Sequence, residues 1–227
     1  MATHGKKYKK VKSATEAKIY DMAEAIRFLK ANKVAKFDET AELAIRLGVD
    51  TKKTDQTVRG TVGLPHGSGK VVRVVVFAAG AAADAARAAG AEVVGNEDLI
   101  EKVKGGWTDF DVAIATPDAM KEVRKLGKVL GPRGLMPNPK TGTVTDDTAT
   151  AVRDSKAGRV EYRMDRNGNV QVPFGKLSFE EPKLLENVNA VIAAIRAARP
   201  AAAKGIFIKR CTFSSTMGVG LRVDVRD

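Results

Sequence analysis

The stretch HGSGKVVRVVVF, residues 66–77, changes the character of the chain within a few positions. Its glycines read as a linker, and Val71–Phe77 is almost continuously apolar, as expected of a strand covered on both faces. Before it, two segments alternate. FDETAELAIRLGV places Ala41, Leu43, Ile45 and Leu47 on one face with Glu42 and Arg46 on the other, and QTVRGTVGLP runs through Val58, Gly60, Val62 and Leu64 to stop at Pro65. These are half-buried strands. After it come alanine-rich helical sequence at 81–90, a short strand around Glu92–Val94 and a helical NEDLIEKVKG. A strand DVAIAT (111–116) then leads into helical PDAMKEVRKLG, with Pro117 at the helix start. Strand–helix alternation with short connections is the pattern of a parallel sheet.

A short helical piece over 148–156 closes this region, and from Gly158 the earlier style returns. RVEYRMDRNGNVQVPFG reads as two strands around a turn at Asn167–Gly168. A helix spans about Glu181 to Ala198, ended by Pro200, and IFIKRCTFSS with LRVDV forms a hairpin across TMGVG. At the other end, residues 13–33 read as one amphipathic helix, with Ser13 and Glu16 as a capping pair and Ile19, Met22, Ala23, Ile26 and Leu29 at helical spacing. The sequence therefore predicts a two-domain α/β protein. A discontinuous α+β domain comes from both termini, residues 1–67 plus 159–227. An α/β domain, residues 68–158, is inserted into it at glycine-bearing junctions.

Charge follows the same division. The 227 residues carry 39 basic and 27 acidic side chains, a net +12. Residues 1–67 hold 14 basic and 8 acidic groups, residues 159–227 hold 12 and 7, and the insert holds 13 and 12. The excess belongs to the terminal segments and points to a polyanionic partner, nucleic acid ahead of a membrane surface. The one cysteine, Cys211, excludes an internal disulfide framework and suits a reducing compartment. With only His4 and His66 beside it, the ligands of a typical structural zinc site are missing. No run of 18 apolar residues is present, and the basic start MATHGKKYKKVK lacks the apolar core of a signal peptide. A cytoplasmic protein without metal or cofactor is expected.

The nucleotide-binding patterns fail on inspection. Gly69–Lys70 would require a glycine at Leu64 and a hydroxyl at Val71 to make a phosphate loop, and the glycines precede the strand when they should follow it. Gly80 follows the strand Val71–Phe77, but the next glycine positions of a dinucleotide site are Ala82 and Ala85. Asp109, Asp111 and Asp118 could suggest a metal site, but strand and helix boundaries explain them more simply. No set of nucleophile, base and orienting group is visible.

Four features remain. Lys6, Lys7, Lys9, Lys10 and Lys12 read as a flexible basic arm, either a solvated tail or a phosphate-tracking element. In KFDET (36–40), Phe37 is either core or an exposed face for a sugar or base. SSTMG (214–218) is either a plain hairpin connection or a turn whose hydroxyls and amides meet phosphate and 2′-OH groups. Finally, VLGPRGLMPNPKTG (129–142) holds three of the eight prolines and three glycines. With Arg124, Lys128, Arg133 and Lys140 it forms a stiff cationic segment that either caps its domain or meets RNA, with Leu130, Leu135 and Met136 as anchors.

KVAKFDET, VRKLGKVLGPRGLMPNPKTGTV and FSSTMG together resemble the large-subunit ribosomal protein one family (the L-one family), of bacterial type, in order over nearly the whole chain. The resemblance implies a ribosomal RNA-binding α+β domain with an inserted Rossmann-like α/β/α domain. It further implies binding to 23S rRNA at the mobile stalk beside the tRNA exit site, assistance in releasing deacylated tRNA, and repression of translation through the protein's own operon mRNA. The implied partners are stalk rRNA, that mRNA, exit-site tRNA and other ribosomal components, with no enzymatic role. By motif it places RNA contacts at Lys36, Phe37, Asp38, Thr40, Glu42, Asp165, Ser178, Ser215, Thr216, Met217 and Gly218, with Arg124, Lys128, Arg133 and Lys140 as a secondary rRNA contact.

Overall fold

The computed structural model describes residues 5–225, so His4 lies outside the described residues. The chain packs as two compact units, Met1–Gly69 with Val160–Asp227, and Lys70–Arg159. In chain order the first segment contributes α1 (Lys6–Ala14), α2 (Met22–Ala31), β1 (Thr40–Leu47) and β2 (Arg59–Gly63). The middle segment contributes β3 (Val74–Phe77), α3 (Ala81–Ala88), β4 (Val93–Gly95), α4 (Glu97–Lys104), β5 (Val112–Ala115), α5 (Met120–Val123), α6 (Gly127–Leu130) and α7 (Thr148–Ala157). The last adds β6 (Arg159–Arg163), β7 (Asn169–Lys176), α8 (Glu181–Ala197), β8 (Ile208–Ser215) and β9 (Leu221–Val223).

The first unit is built on a four-stranded sheet of order β7-β1-β8-β9, antiparallel throughout. Alternation along β1 buries Ala41, Leu43, Ile45 and Leu47 and exposes Glu42 and Arg46. Two bulges keep the inward phase. The extra residue opposite Ala41/Glu42 lets Phe174 and Gly175 of β7 both turn in, and the extra residue opposite Arg46/Leu47 lets Lys209 and Arg210 of β8 both turn out. The buried face is covered by α2 through Ala25, Ile26 and Leu29 and by α8 through Leu184, Val188, Val191, Ile192 and Ile195. Phe174 and Phe213 meet at its centre with ring centroids 5.3 Å apart. Burial pushes the Cys211 thiol up to about 12, so it is an inert core residue.

Three readings of the terminal segments change. The single helix over 13–33 is two helices, because Tyr20 is drawn into the sheet edge. Its amide donates to the Arg222 carbonyl (2.8 Å), its carbonyl accepts from the Asp224 amide (3.1 Å), and its ring is buried. Those bonds replace helical ones, so Asp21 caps α2 in place of Ser13, and Ile19 is left exposed. The basic arm is likewise ordered as α1, with Tyr8 and Val11 packed against the core of its unit. Lastly, the two strands flank the Asn167–Gly168 turn as the sequence suggests, joined by the Met164–Val170 bridge and the bond from the Asp165 amide to the Asn169 carbonyl (2.8 Å), but β6 itself pairs with β2 in a separate two-stranded sheet.

The second unit is a three-stranded parallel sheet, order β4-β3-β5, covered on both faces. Val74, Val76 and Ile114 pack with Ala83, Ala86, Ala151 and Val152 of α3 and α7. Val75, Phe77, Ala113 and Ala115 pack with Leu99 and Val103 of α4 and with Val123, Leu126 and Leu130. The helix expected from Pro117 begins at Met120 and runs as α5, a 3-10 turn and α6. Asp111 is held by Lys70 (2.6 Å) and Arg73 (3.2 Å), a structural ion-pair cluster.

Because Phe213 is wholly buried against Phe174, Phe213→Ala is expected to destabilise the first unit by about 3–5 kcal/mol. Urea unfolding followed by a probe in that unit measures this; a loss below about 1 kcal/mol would mean the sheet face is not its core.

Candidate nucleic-acid interface

Extending the inward alternation of β1 one step back from Ala41 lands on Glu39, a carboxylate with no exposed surface. Extending that of β8 from Cys211 and Phe213 lands on Ser215, whose Cα partner is Ala41. The register thus brings an acid and a hydroxyl together at one end of the sheet. The Ser215 hydroxyl donates to Glu39 Oε2 at 2.5 Å and the Met217 amide to the same oxygen at 3.3 Å, while Oε1 accepts from the Val34 and Ala35 amides at 2.9 and 2.6 Å. Burial opposes the charged form, but the hydrogen bonds from Ser215 and from the Ala35, Met217 and Val34 amides outweigh it and hold the carboxyl below its ordinary value. One buried anion therefore fixes both the turn before β1 and the turn after β8.

On this anchor sits a connected polar surface. Thr216 Oγ1 accepts from the Thr40 amide (2.9 Å), and the Thr216 amide donates to the Thr40 carbonyl (3.1 Å). Lys176 Nζ donates to Thr40 Oγ1 (2.8 Å). Asp38 accepts from the Ser178 amide (3.1 Å) and hydroxyl (2.8 Å). Gly218 closes the turn by donating to the Ser215 carbonyl (3.0 Å), and a Cβ there would run into the Ser215 hydroxyl. Phe37 and Met217 stand out from this surface, 57% and 53% exposed, and Lys36 is exposed beside them. Of the two readings of Phe37, core and exposed face, the structure selects the second.

The structure thus brings together Asp38, Thr40, Ser178, Ser215, Thr216, Met217 and Gly218, with Lys36 and Phe37 on the adjoining turn. Glu42 is exposed on the open sheet face, two residues along β1 from Thr40. Asp165 is apart. Thr40 pairs with Lys176 at one end of β7, whereas Asp165 accepts from the Asn167 and Asn169 amides beyond the Arg46–Asn169 pair, about 20 Å along the strands. There its carboxylate builds a turn, and the hydrogen bonds from Asn169 and Asn167 hold it below its ordinary value. Two residues of the surface escaped the motif reading, Glu39 and Lys176. Strand alternation carries the signal for Glu39; no comparable pattern marks Lys176.

In the second unit, Leu130 is wholly buried and Leu135 and Met136 pack against the same core, so the proline-rich segment is anchored as its sequence suggests. Asn138 ties it further, its carbonyl accepting from the Thr141 hydroxyl (3.0 Å) and its side chain from the Lys140 amide (2.8 Å). Arg133 hydrogen-bonds Thr108, and Lys125 pairs with Glu122. Arg124, Lys128 and Lys140 are exposed.

Replacing Glu39 by Gln puts an amide N–H₂ against two of the four donors. Glu39→Gln is expected to cost about 2–3 kcal/mol, the range for charge-assisted bonds left unmade. The depressed value of Glu39 gives the pH dependence its sign. Its contribution is complete above the ordinary glutamate range and is lost as pH falls through the lower folded-state value. Denaturant unfolding at neutral and acid pH should show the wild type losing its advantage over the variant on acidification. A constant difference would contradict an ionised Glu39. A model described as the Ribosomal protein L1p/L10e family matches residues 29–219, a span that contains the whole Glu39-anchored surface.

Proposed function

We infer the function from one premise: the chain belongs to the ribosomal protein L1p/L10e family, and so is a large-subunit ribosomal protein that binds ribosomal RNA. The RNA site we propose is the surface braced by Glu39, and the observation that carries it is the joining of the KFDET and SSTMG turns through one buried carboxylate. Its chemistry suits folded RNA. Hydroxyls of Ser178 and Thr216 and the ammonium of Lys176 address phosphate and 2′-OH groups, while Phe37 and Met217 offer apolar faces to sugars and bases. Lys36 and Glu42 flank the surface; Asp165, at the far end of the strands, supports the sheet.

A preformed surface of this kind recognises shape, and the +12 charge accelerates encounter. With aromatic residues only 5% of the chain, a stacking platform for single strands is a poor fit. We place the RNA in the stalk of 23S rRNA beside the tRNA exit site, where the protein assists release of deacylated tRNA. An operon mRNA that presents the same folded shape would be bound and repressed by the same surface. Arg124, Lys128, Arg133 and Lys140 are assigned a secondary rRNA contact, supported by exposed cations on an anchored segment.

Thr216→Ala removes the acceptor of the Thr40 amide and a hydroxyl from the surface, and is expected to lose about 1–3 kcal/mol of rRNA affinity. Titration against a stalk rRNA fragment in excess tRNA measures it. Wild-type affinity in the variant would remove the turn from the site.

A further inference from the structure

Beside the proposed RNA surface the chain forms a groove of about 440 Å³, between α1 and the segment Val219–Arg222. Val219 and Gly220 follow directly on the Met217–Gly218 turn, so an RNA strand crossing that turn meets the groove next. Its walls are Tyr8 and Lys12 of α1, Ile19, and Arg222 of β9. Ile19 is 47% exposed and makes an apolar wall, as Phe37 and Met217 do on the neighbouring surface. Among the described residues the one acid in the wall, Glu16, is paired with Lys18 at 3.1 Å, and Lys18 also pairs with Glu24 at 2.7 Å. Among the described residues no acid pairs with Lys12 or Arg222, which stand on opposite walls.

The helix that forms one wall is electrostatically incomplete. α1 has nine residues, no side-chain N-cap, no acid in its first turn and no fully buried side chain. Lys6, Lys9 and Lys10 fall at helical spacings of three and four, where like charges repel, and cations at a helix N-terminus oppose its dipole. A helix of this length is marginal by itself in water. Tyr8 and Val11 hold it to the unit, and bound phosphates would supply the missing negative charge.

We propose that this groove is a second RNA subsite, taking one unstacked nucleotide with its base against Ile19 and Tyr8 and its phosphates between Lys12 and Arg222. The volume lies within the roughly 300–1,000 Å³ of small-molecule sites, enough for one nucleotide. The proposal rests on the RNA-binding reading above and extends it, since α1 lies outside the residues that the family model matches.

The test uses the full chain and a stalk rRNA fragment, titrated across salt concentrations with excess tRNA. Lys12→Gln/Arg222→Gln is expected to bind about tenfold more weakly. Its plot of log affinity against log salt should be shallower by about 1.4, two single-strand phosphates at about 0.7 each. Thr216→Ala, run in parallel, should weaken binding at unchanged slope. Unchanged affinity and slope in the double variant, with circular dichroism showing an intact fold, would overturn the subsite while leaving the Thr216 surface standing. Displacement of the rRNA by polyglutamate, abolished by the same two substitutions, would make the occupant an acidic polypeptide and overturn it too. Failure of the wild type to prefer rRNA over tRNA would instead remove the parent reading, and this one with it.

Discussion

The geometry of the proposed RNA surface depends on a single buried charge. A carboxylate without solvent contact is costly unless its lone pairs are met by donors. Glu39 has four, two from the turn before β1 and two from the turn after β8, residues separated by some 180 positions in the chain. The cost of desolvation is what makes the arrangement selective: moving either turn leaves an anion buried with unmet lone pairs. The outward side chains on those turns, Phe37, Thr216 and Met217, inherit this positional precision without taking part in it.

The same logic explains why the surface carries hydroxyls alongside its cations. Lysines alone attract any polyanion, and their attraction falls steeply with salt. Hydroxyls held by backbone, such as Thr216 against Thr40, and a lysine held by a hydroxyl, such as Lys176 on Thr40, discriminate by position. The exposed cations of α1, a helix held to the unit by Tyr8 and Val11, carry no such positional bonds and contrast with them.

Much of this was legible in the sequence because strands with one buried face write their register in period two. β1, β8 and the buried part of β3 announced themselves, although β3 begins at Val74 and leaves Val71 exposed, and Pro200 marked the end of α8. The KFDET and SSTMG motifs pointed to their turns. What stayed hidden was decided by partners distant in the chain. The helix over 13–33 was broken by Tyr20 joining β9, a contact no local pattern specifies. The pairing of β6 with β2, a hundred residues earlier, is likewise set by a distant partner. Glu39 was readable by alternation, yet an acid on an inward phase invites the assumption that the strand has ended. Asp165, which the resemblance places among the RNA contacts, lies in a turn that its spacing to Asn167 and Asn169 describes, at the far end of the strands from Thr40.

The central claim is that the surface is preformed, so that RNA meets it without ordering it. Backbone hydrogen exchange in the free protein tests this at the amides of Val34, Ala35 and Met217, which donate to Glu39, and of Thr216, which donates to Thr40. A preformed site predicts slow exchange of all four without RNA and little further slowing when rRNA is added. Fast exchange in the free protein, with protection gained only in the complex, would mean that RNA assembles the two turns, and would contradict the account.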